Sequence, residues 1–422
     1  MPKLARAARC PGSGLVAAGV VFALAALAVS AQSISPIRST PVEKFTVNPG
    51  HRDWAEAAIS GTTIVGGNSS NRGGLFAVDT VSGKLKWTAR PTATARSNPF
   101  VATRPAIAGD VVIVPMGETL IALHLATGKE VWRGPATAQR ASAASGSGLA
   151  FVLGEDSNFY AFDAATGREK WKMAFARGGG SCYSSPTVRD GVVYVGGSLV
   201  TKPADASRSA EYARYLFALD ANTGQERWRY QSPLPGGICF ERPTVTADTF
   251  FAISSGSLYA LDLSTGRERW QPTEVRGMVD GRERATPVFG LVDAGDTLVG
   301  LTRNAIVAFD KKSGKVLWQV AGQYRENSPS TAVAGRVLYF QGHPGAEPAA
   351  EVQGRTVYVG GKPVAQAPAL PPGKLNALDL DTRAILWSFS RPTVEPNWPF
   401  GFVTPVDGGL WVDSYQALVK LQ

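Results

Sequence analysis

FYAFDAATGREKW, residues 159–171, holds an aromatic-rich strand, a turn and a second strand that reaches a tryptophan. Alternation in its counterpart LYALD, residues 258–262, marks the first half as a strand. The Asp with Thr-Gly then supplies a side-chain cap and a residue that tolerates positive φ. The phrase returns along the chain: LFAVDTVSGKLKW ends at Trp87, LIALHLATGKEVW at Trp132, LFALDANTGQERW at Trp228, LYALDLSTGRERW at Trp270, IVAFDKKSGKVLW at Trp318 and LNALDLDTRAILW at Trp387. With Trp171 there are seven copies, each with its tryptophan ten residues after a shared alanine; His124 replaces the Asp in one of them. Ala417 begins an eighth copy that stops before its turn.

Upstream of each copy lies another pair of short strands, as in SPTVRDGVVYVGG (185–197) and RPTVTADTFFAIS (242–254), so every unit holds about four antiparallel strands. One such sheet cannot cover both of its own faces. Tryptophan spacings of 45, 39, 57, 42, 48 and 69 residues match propeller blades with two insertions, and radial packing gives each sheet two neighbours. The expected fold is all-β: an eight-bladed β-propeller of four-stranded antiparallel sheets, formed by residues 32–422 as a single domain, with the seven tryptophans as structural residues between blades. The last unit, FVTPVDGGLWVDSYQALVKLQ, has three strands of its own, so Val42 to Val47 is predicted to supply the fourth and close the ring. The insertions are expected as surface loops at roughly 201–214 and 343–374, with TVYVGG in the second a candidate short hairpin.

The 422 residues are 44% hydrophobic and 18% charged, an ordinary globular composition. Met1 to Ala31 reads as an export signal: Lys3, Arg6 and Arg9 precede the apolar run Leu15 to Val29, and Val29-Ser30-Ala31 offers the small residues a signal peptidase needs. That run is shorter than the roughly 20 residues that span a bilayer, so the sequence predicts no stable span after cleavage and a periplasmic or secreted protein. Cys10 precedes the run, which does not support lipid anchoring. Three units of the formal +9 charge lie in the leader, and no Lys/Arg block suggests a nucleic-acid groove. In an oxidising compartment Cys182 and Cys239, each four residues before the proline of consecutive inner strands, are candidates for a disulfide; the other reading is two free thiols.

The TGK and TGR fragments are turns, since no GxxxxGK[ST] loop accompanies them. His51, His124 and His343 stand apart, without metal-ligand spacing, and no metal is predicted. The residues that open the innermost strands are more informative. Glu56, Arg104, Arg140, Ser185, Arg242, Thr286, Ser328 and Thr404, each before a proline or its equivalent, are all polar and are expected to ring the central channel. One reading is a hydrated funnel; the other is a pocket for an anionic small molecule, because guanidinium groups pair bidentately with carboxylates. Glu241, Arg282, Glu283, Arg284, Tyr324, Arg325, Glu326 and Asn327 are placed at the same end, as a salt-bridged rim or as a source of a general base.

The repeats resemble the tryptophan-docking motifs of the pyrroloquinoline-quinone-type propellers over essentially all of the mature chain. That superfamily includes quinoprotein dehydrogenases and the non-catalytic outer-membrane assembly factor BamB, so the resemblance implies the fold and leaves two functions open. The first is an exported scaffold for an envelope or secreted protein partner, with no cofactor. The second is a small alcohol or sugar oxidoreductase holding pyrroloquinoline quinone (PQQ) and calcium at the channel. There Arg104, Arg140, Arg242, Ser185 and Thr286 would bind the cofactor, and Glu241, Glu283 or Glu326 would act as base. The chain lacks the adjacent Cys-Cys pair typical of the dehydrogenases and the C-x-x-C-H haem motif of quinohaemoproteins. Their calcium-ligand set cannot be placed on its residues.

Overall fold

The computed structural model describes residues 34–49, 57–68, 74–91, 104–116, 119–135, 143–154, 156–175, 185–204, 210–231, 243–254, 256–279, 282–324, 331–345, 351–353, 356–359, 362–364, 373–391, 401–414 and 417–422. Its regular structure there is all β.

In the opening phrase, Asn158–Asp163 pairs antiparallel with Glu169–Ala174; Ala161 faces Trp171, and the register shifts before Phe162 meets Glu169. Asp163 shapes the turn between them. Its Oδ1 accepts the Thr166 backbone N–H at 3.0 Å and the Thr166 hydroxyl at 2.8 Å, and its backbone carbonyl accepts the Gly167 N–H at 2.8 Å. Gly167 has φ +73, and a Cβ there would stand 2.6 Å from the ring of Trp132, which belongs to the preceding unit. Trp132 completes the dock by donating from Nε1 to the Ala164 carbonyl at 2.8 Å. Trp87, Trp171 and Trp228 donate in the same way to Leu125, Ala221 and Leu263 at 2.8, 3.0 and 2.9 Å. Burying an indole contributes about 2–3 kcal/mol and its hydrogen bond about 1 kcal/mol more.

Six four-stranded sheets form in this way, and an eight-stranded one is two further units joined by a long outer strand, Val316–Tyr324, that also pairs with Val337–Pro344. Eight apolar clusters lie between consecutive units. In one, Phe151, Phe159 and Ala161 of the third unit pack on Val193, Val195 and Phe217 of the fourth. In another, Val406, Trp411 and Leu418 of the last unit pack on Ile64, Phe76 and Val78 of the first, so the ring is closed. As the sequence predicted, Glu43–Val47 pairs antiparallel with Ala417–Leu421 and completes the last sheet.

Three places depart from expectation. Residues 201–214 do not form a loop throughout: Val192–Lys202 and Glu211–Asp220 pair from Val192↔Asp220 to Lys202↔Glu211, one long hairpin. Within 343–374, TVYVGG contributes not a two-stranded hairpin but the middle strand of a three-stranded sheet, Glu351–Gln353, Thr356–Val359 and Lys362–Val364. In the fifth unit the outer strand is only Thr273–Glu274 and leaves Trp270 outside it. The cause is Pro272. In the fourth unit Leu216 pairs with Tyr230, two residues past the tryptophan; the matching position here is Pro272, which has no N–H, and Leu258 pairs with Thr273 instead. Trp270 still docks, donating to the Lys311 carbonyl at 3.2 Å.

Candidate functional site

Successive strands of each unit run in opposite directions. The turns from first to second strand and from third to outer strand therefore gather at one end of the ring. The turns from second to third strand, and the connections from each outer strand to the next unit, gather at the other. The first end carries the tight Asp-containing turns. Among the described residues the second carries the long elements: the hairpin of residues 192–220, the three-stranded insertion of 351–364, and a further hairpin, Arg276–Val279 with Arg282–Ala285, between the fifth and sixth units.

A cavity of about 710 Å³ lies at the centre, lined by inner-strand residues of all eight units, from Ala57 and Arg104 round to Thr331 and Thr404. Its mouth toward the elaborated end is where the inner strands begin. Arg104 and Ser185 stand there, as does the run Phe402–Pro405 of the last unit. Among the described lining residues Arg104 is the one ionisable group; the rest are hydroxyls, prolines and small or apolar side chains. Its side chain meets solvent, yet protein encloses it on all sides of the ring. Desolvation holds its pKa below the ordinary arginine value, and no carboxylate among the described residues opposes that shift. No described residue accepts a hydrogen bond from it. The wall itself is stitched between units: Ser145 Oγ donates to the Ile107 carbonyl at 2.7 Å, and Thr244 Oγ1 to the Leu291 carbonyl at 2.8 Å.

Of the residues expected around the channel, Arg104, Ser185 and Thr404 line the cavity. Thr286 does not: it is buried, and its N–H donates to the Val275 carbonyl at 2.7 Å, which ties it to the preceding unit. The sixth unit is represented instead by Gly290, Leu291 and Val292. A register shift between Phe289 and Val292, with Gly290 at φ +58, carries its lining residues farther along the chain. Glu283 lies in the hairpin at the elaborated end, opposite Met278. Glu56, Arg140, Glu241, Arg242, Glu326, Ser328, Cys182 and Cys239 lie outside the described residues.

The sequence did not reveal the shape of the 192–220 hairpin. Beyond the sheet it carries a facing pair, Val200 and Tyr212, 48% and 37% exposed, and then the ion pair Lys202–Glu211 at 2.9 Å. Its base is rigid: Phe175 stacks on Phe217 with centroids 5.2 Å apart, and the Arg229 guanidinium lies 5.6 Å from the centre of the Tyr215 ring. The signal was present in the length of EYARYLFALD, an aromatic-rich run longer than any other third strand.

A quinone held through calcium needs carboxylate ligands for the ion and a base beside the substrate. The described cavity wall supplies neither, and no group of three or more His, Cys, Asp or Glu among the described residues is placed to hold a metal. The described residues therefore do not fit that group. Among them, no helix is long and apolar enough to cross a membrane.

A family model described as "Outer membrane protein assembly factor BamB" matches residues 42–147, 117–273 and 196–389. No curated protein matches the chain at a significant level. Among solved structures, BamB from Moraxella catarrhalis is similar with a TM-score of 0.59 and 17% identity, over 91% of this chain and 100% of that one. A europium-containing methanol dehydrogenase gives a TM-score of 0.59 and 14% identity over 90% of this chain and 85% of its own. The C-terminal WD40 domain of Sif2 gives 0.61 and 9%, over 91% and 98%. At these identities the likenesses show the fold alone, a β-propeller.

Proposed function

Because the chain belongs to the family of the outer membrane protein assembly factor BamB, we propose that it is an exported, non-catalytic scaffold that receives a protein partner on the elaborated end of its ring. The observation that carries this reading is the asymmetry of the two ends. One end is a circle of short capped turns. The other raises two hairpins and an inserted sheet around the cavity mouth, and the longest hairpin exposes the apolar pair Val200 and Tyr212. A projecting aromatic beside an aliphatic residue, with charge at its rim, has the composition of a protein contact. The family's description as an assembly factor agrees with such a role. The reading of residues 1–31 as an export leader supports a mature protein in the periplasm or outside the cell.

The test is to compare capture of envelope proteins by the full mature chain and by a variant in which Asn-Gly joins Ser198 directly to Arg214, the pair that would then close the hairpin. The expected result is a protein recovered specifically by the first and lost by the second. Equal recovery by both, or recovery of nothing by either, removes the proposal. Export is checked separately by the mass of the protein made in a bacterium, which should begin after Ala31.

A further inference from the structure

A cation with no partner among the described residues, at the mouth of a cavity, is a poor arrangement for the free protein. A guanidinium facing a confined space keeps less of its hydration than on an open surface, and no described carboxylate offsets that cost. Desolvation holds the Arg104 pKa down, in agreement with this geometry. An anion entering the cavity would find a fixed fork of N–H donors and no described negative charge to repel it. The remaining wall narrows the class of anion. Pro105, Pro186, Pro243 and Pro405 share the lining with hydroxyls from Ser185 and Thr404, so the surface offers apolar rings and polar groups in similar measure. At about 710 Å³ it is large enough for an organic ligand of several residues' bulk. It opens at the end where the long hairpin and the inserted sheet stand.

We infer that the channel mouth takes an acidic segment of the protein partner, with one carboxylate seated on Arg104 and the adjoining peptide against the proline-lined wall. This rests on the scaffold reading and deepens it: the hairpin supplies an outer contact and the channel a central anchor.

The experiment follows anisotropy of a fluorescein-labelled tetraglutamate peptide mixed with the full mature chain, with labelled tetraglutamine as its uncharged counterpart. Tetraglutamate is expected to bind at least about tenfold more tightly than tetraglutamine, an advantage that falls as salt is raised. Arg104→Gln should remove the advantage and Arg104→Lys should keep part of it. Lys312→Gln removes the same charge from an exposed turn at the opposite end, and should leave binding as in the parent. The inference is overturned if tetraglutamate has no advantage, if Arg104→Gln binds as the parent does, or if Lys312→Gln loses as much. It is also overturned if glutarate displaces the peptide at equal concentration, since the cavity would then serve small organic anions. Failure here with envelope capture intact leaves the scaffold reading standing, whereas lost capture with intact peptide binding removes the scaffold reading and, with it, the assignment of the bound segment to a partner.

Discussion

At Gly128 two constraints coincide: φ is +69, and an added Cβ would stand 2.6 Å from the Trp87 ring. Gly148 has φ +73 with open space around it, so it carries only the first constraint. Gly148→Ala should therefore cost about 1 kcal/mol of stability, and Gly128→Ala clearly more, because the docked indole must also move. Denaturant titration of the two variants measures the difference; equal losses would mean that the ring is not held against the turn. Arg383 shows what the chain does without the glycine: it takes φ +64 and holds its guanidinium 6.0 Å from the centre of the Trp318 ring. The turn aspartates add a pH dependence. Backbone and hydroxyl donors from Ser82 bring Asp79 to about 2, the Arg227 guanidinium with Thr223 brings Asp220 to about 2, and Ser264 and Thr265 bring Asp262 to about 2. Each folded pKa lies below its unfolded value, so this stabilisation is complete above the unfolded pKa and is lost as pH falls toward 2. The melting temperature should drop between about pH 4 and pH 2, and Asp262→Asn should flatten part of that drop. An acid limb unchanged in the variant would count against the caps.

Among the elements, the 192–220 hairpin separates what stability needs from what projects. Its inner half is packed by Phe175, Phe217 and Tyr215, whereas its outer half, past Ser198 and Arg214, faces solvent with Val200 and Tyr212. Replacing the outer half by Asn-Gly is expected to shift the melting temperature by no more than about 2 °C, followed by circular dichroism. A large loss would show that the tip supports the ring. The same hairpin shows where the sequence stops being readable. The third and outer strands of each unit were legible because their caps are local: Asp, Thr and Gly are neighbours in sequence. Residues 201–214, with Pro203 and several small polar side chains, carry no such local signature, and their pairing follows from register inherited from the sheet. Arg104 and Ser185 were legible as channel residues because their units start in step with the repeat. Thr286 was not, because the bulge at Gly290 moves the sixth unit's lining along the chain. The long outer strand Val316–Tyr324, which ties two units into one sheet, likewise depends on a partner strand elsewhere in the chain.

At the scale of the whole ring, one interface is built differently from the others. Where the last unit meets the first, Trp411 packs in the interface but no tryptophan docks on the turn at Gly83. The Phe45 ring lies against Gly83, whose Cβ would meet it at 2.5 Å, and the Lys420 ammonium donates to the Thr80 carbonyl at 2.9 Å. Phe45 thus replaces the indole ring and Lys420 its N–H. The same N-terminal segment serves the seventh unit: the Ile37 carbonyl accepts from Trp387 Nε1 at 3.0 Å, Arg38 pairs with Asp379, and Glu43 pairs with Arg391 at 2.8 Å. These partners are some 340 residues apart, and a backbone carbonyl leaves no mark in the sequence, so the closing strand was legible but its clasp was not. A ring closed in this way should behave as the single domain proposed for residues 32–422. Deleting 32–47 should lower the melting temperature well beyond the effect of any single substitution, since it bares the edge of Ala417–Leu421 and leaves Trp387 without its acceptor. The bared edge should also make the shortened chain associate, which light scattering reads. A synthetic peptide of residues 34–47 added in trans should then raise the melting temperature in proportion to the logarithm of its concentration once in excess, because it binds only the folded ring. If the shortened chain melts as the parent does, or the peptide changes nothing, the ring is held by the remaining units, and the segment behind the leader is an accessory rather than its closure.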